Sequence, residues 1–355
     1  MELRQRHTEY DEEKQKMSYA AYTRAKAKYG KRLREKDYKS LLNCESVPDV
    51  MAYLKSNTRF IDAFGEANER GMRRGLFESL LRQYYINEID TICRYELSVG
   101  DYVSKYVAHK TEIDEIIRIL TVLNSKEKRE YNFTVPAHIA KRTSIDLNAL
   151  SETKTFEQFV EAAKKTPYEK ILKKYIAQKN KQIPITEIES ELYTQLYIEL
   201  YEMIDKTNET ERRDLKSFLD STIDFRNFLN IIRIKKYYET DNKVVKSHII
   251  PFGSLKPEVI DEMCNAENPK QVYDIMAQTK TGKLIDKVDY DYIDELEIKI
   301  KYKKAKHNMY YSESSSTVMI SYIILCEIEL HNLICITEGA RYRVDKDVIE
   351  ALLVY

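Results

Sequence analysis

The sequence predicts an all-α protein built from three similar helical domains. Three observations lead there. Glycine and proline number 8 and 7 in 355 residues, well below ordinary usage, which suits long helices and disfavours a barrel or sandwich. No stretch alternates apolar and polar residues with the period of two that a half-buried strand needs. A segment also occurs three times: LNCESVPDVMAYLKSNT at 42–58, LSETKTFEQFVEAAKKT at 150–166 and MCNAENPKQVYDIMAQT at 263–279. The copies begin a little over a hundred residues apart, which is the spacing of whole domains and not of short solenoid repeats.

The matched positions have a physical reading. Leu42, Leu150 and Met263 are apolar, as are Met51, Phe159 and Val272. Three residues later come Leu54, Ala162 and Ile275, a spacing that puts each pair on one helix face. Thr155 with Gln158, and Asn268 with Gln271, have capping-box spacing. Pro48 and Pro269 sit where a first helical turn tolerates a missing N–H. Each copy ends in a threonine: Thr58, Thr166 or Thr279. Thr166-Pro167-Tyr168-Glu169 reads as the cap of a further helix.

Taken in order, residues 1–17 read as a charged tail or frayed helix. Residues 18–36 continue as a basic helix carrying Tyr19, Tyr22 and Arg24. After the first repeated segment, 75–97 form a strong helix with Leu76, Leu80, Tyr84 and Ile89 near one face, and 112–124 form another. A polar loop through Asn132 and Pro136 leads to the second copy. Ile183-Pro184 opens a helix on which Leu192, Leu196, Tyr197, Leu200, Tyr201 and Ile204 recur at helical spacing. Residues 207–214 are a polar linker or cap, and 215–237 a helix. Pro251, Gly253 and Pro257 break the chain before the third copy. Residues 286–306 run from acidic to basic, aligned with a helix dipole. Ser312 to Ser316 is a loop, 317–338 the last long helix, and Gly339 a C′ residue. The domains follow as 18–74, 75–183 and 184–309, with 310–355 closing the chain and completing the first.

Similarity extends beyond the three copies. Ile116-Ile117-Arg118 and Ile231-Ile232-Arg233 lie at nearly the same distance before their terminal threonines. DFRNFLNI at 224–231 compares with ELHNLICI at 329–336 when Arg226-Asn227 is set against His331-Asn332. Phe228, Ile231, Leu333 and Ile336 then read as core. The arginines and asparagines either line an inner surface or cap neighbouring helices.

Composition excludes several classes. Lys and Arg total 58, as do Asp and Glu, so no net charge draws the chain to nucleic acid or anionic membrane. Five cysteines without a CxxC pair argue against zinc and a disulfide framework, and fit a reducing cytoplasm. The N-terminus MELRQRHTEYDEEKQKM lacks the apolar core of a secretory signal. The longest apolar run, Val318 to Cys326, is interrupted by Ser321, stopped by Glu327 and too short to span a bilayer.

The strings CEIELHNLICITEGARYRVDKDVIEALL, IDFRNFLNIIRIKKYY and SYAAYTRAKAKYGKRLREKDYKSLL resemble, in order, the closing, internal and opening helices of the V/A-type ATPase C-subunit family, whose eukaryotic V-ATPase members are known as d subunits. The likeness covers roughly residues 18–352. Asn227, Asn332, Glu338 and Gly339 are the positions that match the family's motifs. Two departures stand out: Glu112 where the family often has Asn, and His331 in place of the usual arginine before Asn332.

The resemblance implies a pseudo-threefold funnel of three helical domains. Such proteins are not catalytic. They lie on the cytoplasmic face of the membrane, capping the rotor ring and receiving the central shaft subunit with its small partner. They join the two and pass torque during ATP-coupled H⁺ or Na⁺ transport. No cofactor, metal, nucleic acid or direct membrane insertion is implied. A shaft-facing surface would suit Tyr and Arg anchors. Arg24, Arg118, Arg226 and Arg233, which recur on related helices, are the candidate partner-interface residues, with ordinary surface salt bridges as the competing reading. The alternative function is a generic cytoplasmic helical-repeat scaffold.

Motifs of catalysis are missing. Gln278-Thr279-Lys280-Thr281-Gly282-Lys283-Leu284 faintly resembles a phosphate loop, but Ala277 replaces its first glycine and Leu284 its Ser or Thr. The six histidines, His7, His109, His138, His248, His307 and His331, show no metal-ligand spacing, and HExxH, GxSxG and GxGxxG do not occur.

Overall fold

The computed structural model describes residues 19–93, 100–125, 143–176, 182–207, 209–237, 241–284 and 293–355. Among the described residues the regular structure is helical and no strand occurs. The chain runs through α1 (19–30), α2 (Glu35–Leu41), α3 (Val47–Asn57), α4 (Ile61–Phe64) and α5 (Arg74–Cys93). It continues through α6 (Gly100–Asn124), α7 (Leu147–Ser151), α8 (Phe156–Ala162), α9 (Glu169–Lys173), α10 (Ile185–Ile204) and α11 (Glu209–Tyr237). It then passes through α12 (Asn242–Ser247), α13 (Pro257–Asn265), α14 (Pro269–Ala277), α15 (Ile293–Tyr311), α16 (Ser315–Tyr342) and α17 (Lys346–Leu352). The tail at 1–17 and the loop through Asn132 and Pro136 lie outside the described residues.

These helices form two compact units. Residues Met1–Asp101 and Lys283–Tyr355 make one, and Tyr102–Gly282 the other. Both ends of the chain therefore share a unit. The helices α5 and α15, expected to open the second domain and close the third, belong instead to the first unit, where both pack on α16.

In the first unit α16 is the central element. Apolar residues occur all round it, and Val318, Met319, Ile323, Cys326, Leu333 and Ile336 are buried, as expected of a helix surrounded by others. Its 28 residues are long and apolar enough to cross a membrane, although 67% of the most apolar window is buried within the protein. The helix thus outruns the apolar run Val318–Cys326, because Ile328, Leu333 and Ile336 continue its buried face past Glu327. In the second unit α11 is the counterpart, packed against α10, α13 and α14.

Several boundaries move for identifiable reasons. The basic helix expected over 18–36 breaks after Gly30, and Arg34 starts α2 with its N–H on Asp37. The core face of α5 is Phe77, Leu81, Tyr85, Ile89 and Ile92, one residue out of phase with the expected one, and Leu76 is exposed. Phe77 stacks on Phe64 and Tyr85 reaches a buried carboxylate, which together turn the helix. The helix over 112–124 begins at Gly100, and that over 215–237 at Glu209. Ser314 caps α16 from Thr317, so the loop ends there. Gly339 is not its C′ residue. The helix runs to Tyr342, Arg343 takes the left-handed conformation at its end (φ 54°), and Gly339 is buried inside it. A Cβ on Gly339 would lie 2.1 Å from Ile349 Cδ1, so glycine is needed there for α17 to pack.

The three copies are real structural units, with a register that the caps define. Ser46, Thr155 and Asn268 are the N-caps, each accepting a backbone N–H three residues on, from Asp49, Gln158 and Gln271. Gln158 and Gln271 reach back to the N–H of Lys154 and Glu267, one residue before the cap. Four residues after each cap stand Val50, Phe159 and Val272, and eight after stand Leu54, Ala163 and Met276, all fully buried. Five residues before each cap stand Leu41, Leu150 and Met263, also fully buried. Copy one is therefore displaced by one residue from the sequence match, and Ala162 and Ile275 sit beside the core positions, not in them. The terminal threonines close each copy in the same way. Thr58, Thr166 and Thr279 donate to the carbonyls of Leu54, Ala163 and Met276 at 2.5, 2.6 and 2.7 Å. Thr166 is thus a helix-terminating residue, and α9 starts at Tyr168 without a side-chain cap.

Candidate functional site

The strongest polar feature of each unit is a buried carboxylate on its long helix. In the first unit Glu329 of α16 accepts from Leu33 N at 2.7 Å, from Tyr85 Oη at 2.8 Å and from Arg59 Nη2. Leu33 lies in the turn that leads into α2, and Arg59 directly follows Thr58. One carboxylate thus ties both ends of the first copy. In the second unit Asp224 of α11 does the same. It accepts from Ser254 N at 2.9 Å, Leu255 N at 3.2 Å and Ser254 Oγ in the turn leading into α13, and from Thr281 Oγ1 at 3.3 Å just after α14. Glu112 of α6 accepts from the backbone and hydroxyl of Ser144 ahead of α7, and from Tyr168 Oη after α8.

Three carboxylates, on α6, α11 and α16, therefore clamp the three copies. Their offsets confirm the equivalence: four residues later stand Ile116, Phe228 and Leu333, each fully buried. Three residues later stand Glu115, Asn227 and Asn332, all buried. Asn227 makes a two-way amide bond with the backbone of Ile250, donating to its O and accepting from its N at 2.9 Å. Asn332 does the same with Val354, at 2.8 and 3.1 Å. Buried backbone groups need such partners when no helix or sheet supplies them. Gly253 belongs to the same device: its φ is 116°, and a Cβ would sit 2.3 Å from Asp224 Oδ1.

This register corrects two sequence comparisons. Glu112 is the equivalent of Asp224 and Glu329, and it is Glu115 that stands at the asparagine position. The Ile-Ile-Arg match also slips by three residues: Ile231-Ile232-Arg233 corresponds to Ile119-Leu120-Thr121 and to Ile336-Thr337-Glu338. Arg118 and Arg233 are therefore not equivalent.

Electrostatics differ among the clamps. Burial alone would pull the Arg59 guanidinium down, but Glu329 outweighs it and holds the cation firmly charged. Arg59 Nη1 also touches Tyr322 Oη at 3.2 Å, and Tyr322 donates to Glu88 at 3.2 Å. Burial, then the neighbouring carboxylate, pushes the phenols of Tyr85 and Tyr168 up. Burial raises the Asp224 carboxyl despite its hydrogen bonds. Copy one thus carries an ion pair where the other two carry neutral donors.

The sequence-predicted interface residues are divided between the two units. Arg24 lies on α1 in the first unit, half-buried, and the other three lie in the second. Arg118 is 41% exposed and pairs with Glu115 at 3.2 Å. Arg226 bonds Glu189 at 2.6 Å and lies 3.4 Å above the Tyr193 ring, and Tyr193 in turn donates to Asp114. Arg233 is half-buried on α11. Glu338 pairs with Arg74 across α16 and α5. Thr279 and Thr281, from the segment resembling a phosphate loop, serve the third copy's cap and clamp. Among the described residues no group of three His, Cys, Asp or Glu side chains is arranged to hold a metal ion.

A family model described as ATP synthase (C/AC39) subunit matches residues 21–352, which take in all three copies and all three clamps. The chain belongs to that family. Several curated relatives are A-type ATP synthase C subunits. The protein of Pyrococcus furiosus is 24% identical over 293 residues, covering 78% of this chain and 77% of its own length. That of Thermococcus gammatolerans is 30% identical over 139 residues, covering 39% of this chain and only 36% of its own length. That of Methanosphaera stadtmanae is 27% identical over 252 residues, covering 69% and 60%.

Proposed function

We propose that this chain is the non-catalytic subunit of a V/A-type rotary ATPase that joins the central shaft to the membrane rotor ring and transmits torque between them. The observation that carries the reading is family membership over nearly the whole chain. The clamps support it physically. An adapter under torque has to resist shear between its helices, and each copy has both ends tied to a buried carboxylate on a long helix. On this reading three helical domains, one around each copy, surround a pseudo-threefold axis as a funnel. The shaft subunit and its small partner enter the funnel, and the ring holds the chain peripherally on the cytoplasmic face. Arg24, Arg118 and Arg233, each half-buried or exposed, are the arginines best placed to meet a partner. Arg226 is committed to Glu189 and Tyr193.

Co-expression with the shaft subunits, and separately with the ring, tests the proposal: the tagged chain is expected to retain both. Calorimetry with ATP is expected to show no binding and no hydrolysis. Micromolar binding abolished by Lys283→Ala would overturn the non-catalytic part.

A further inference from the structure

In copies one and three the clamps leave a notch in the surface between the turn leading into the copy and the residues following it. In copy three the notch is about 330 Å³, lined by Ser254, Lys256, Thr279 and Thr281 among others. In copy one it is a cleft of about 530 Å³ with a different character. Lys28, Lys31, Arg32, Arg34, Lys36 and Arg59 line it, against Asp37, Asp62 and Glu88. The repeated fold makes the notch, so its charge in copy one is not something the fold requires.

Much of that charge is unspent. Glu88 is taken by Lys28. Asp37, hydrogen-bonded to Arg34 N at 2.8 Å and Tyr53 Oη at 3.0 Å, and Asp62 offset part of the remainder. Lys31, Arg34 and Lys36 are exposed and have no ion-pair partner among the described residues, and Arg32 stacks on the Tyr29 ring. At the back, Arg59 is only 9% exposed and its Nε–H has no acceptor among the described residues. The wall also carries Tyr84 and Ile61, the latter 55% exposed. A chain with equal numbers of acidic and basic residues thus gathers an excess of cations beside apolar surface.

We propose that this cleft seats an acidic stretch of polypeptide from a neighbouring subunit, its carboxylates on Lys31, Arg34 and Lys36 and an apolar side chain against Ile61 and Tyr84. The assignment of the peptide to a subunit rests on the rotary-ATPase reading; the cleft's chemistry does not. The cations are strung along the 31–36 turn and not gathered on one point, and the apolar wall has no use for a free phosphate. Complementary charge of this kind sets register and speeds encounter.

The test uses the full chain at low salt and a fluorescein-labelled octapeptide of glutamates with two leucines. Lys31→Glu with Arg34→Glu is expected to weaken binding roughly tenfold or more. A control with the same charge change at exposed residues outside the cleft, Lys216→Glu with Lys270→Glu, is expected to lose less than about twofold. Circular dichroism checks folding, and the milder Lys36→Gln gives an independent reading of a few-fold. Equal losses in both double variants, displacement by tripolyphosphate at matched charge, or binding to phosphatidylglycerol vesicles without peptide binding would each overturn the proposal. Co-purification of the wild-type chain with its partner subunits is scored separately. If it succeeds while the peptide does not bind, the cleft proposal fails alone; if it fails while the peptide binds, the subunit reading fails alone.

Discussion

Replacing Arg59 by methionine isolates the charge in the first clamp. Methionine keeps an unbranched stem against Phe60 and Tyr84 but removes the guanidinium. Glu329, about 7% exposed, would keep Leu33 N–H and Tyr85 Oη as donors and lose its only counter-charge in the clamp. Breaking a buried ion pair from one side costs about 3–5 kcal/mol. The two remaining donors place this case near the lower end, at about 3 kcal/mol. Thr281→Val in copy three removes a neutral donor at 3.3 Å and leaves Asp224 three others. That change should cost only about 0.5–1.5 kcal/mol. Because the chain has two compact units, a global midpoint alone would blur the result. Urea denaturation by circular dichroism should therefore be paired with hydrogen exchange. The Leu33 amide should open about a hundredfold faster in Arg59→Met, following from 3 kcal/mol, while amides around 254–255 stay unchanged. A cost under about 1 kcal/mol, or no greater than that of Thr281→Val, would refute the claim that a charged clamp differs from a neutral one.

Gly339→Ala should destabilise the first unit by about 1–3 kcal/mol through overpacking against Ile349, with Ile349→Val restoring part of it in thermal melts. Asn227→Ala and Asn332→Ala each strand a buried N–H and C=O, at Ile250 and Val354, and should cost about 2 kcal/mol or more, visible as lost amide protection at those two residues. His109 is raised by its hydrogen bond to Glu199, and Glu199 is lowered by the same bond to His109. The histidine's share of stability is complete below its ordinary range and fades as pH rises through its folded value. The glutamate's share is complete above its ordinary range and fades as pH falls through its folded value. The melting temperature of the second unit should therefore decline as pH rises above the ordinary histidine range, near 6.5, and His109→Gln should flatten that decline.

The all-α class was legible because low glycine and proline, helical periodicity and caps all agree. Ser46, Thr155 and Asn268 show how far this goes. The threefold repeat was visible, but its register in copy one was not, since matching the terminal threonines hides one extra residue between cap and threonine. The family asparagines Asn227 and Asn332 were legible as a pair, and their shared backbone role follows once the chain is folded. Glu112, Asp224 and Glu329 were missed as a set. A signal was present: Glu329 lies on the same helix face as Cys326, Leu333 and Ile336, where a carboxylate is costly unless satisfied. Its partners Leu33 and Arg59 come from nearly 300 residues away in sequence, and no local pattern shows that. The circular closure of the first unit hid α5 and α15 in the same way, because only tertiary contacts reveal which unit a helix joins.

Whether this chain couples a shaft to a membrane ring is decided by reconstitution. The tagged chain is mixed with the purified shaft pair and with the detergent-solubilised ring, singly and together, and the products are resolved by size and mass. Two binary complexes and one ternary complex in which the chain bridges shaft and ring are expected. Retention of neither partner, or of a shaft that joins the ring equally well without the chain, would contradict that coupling.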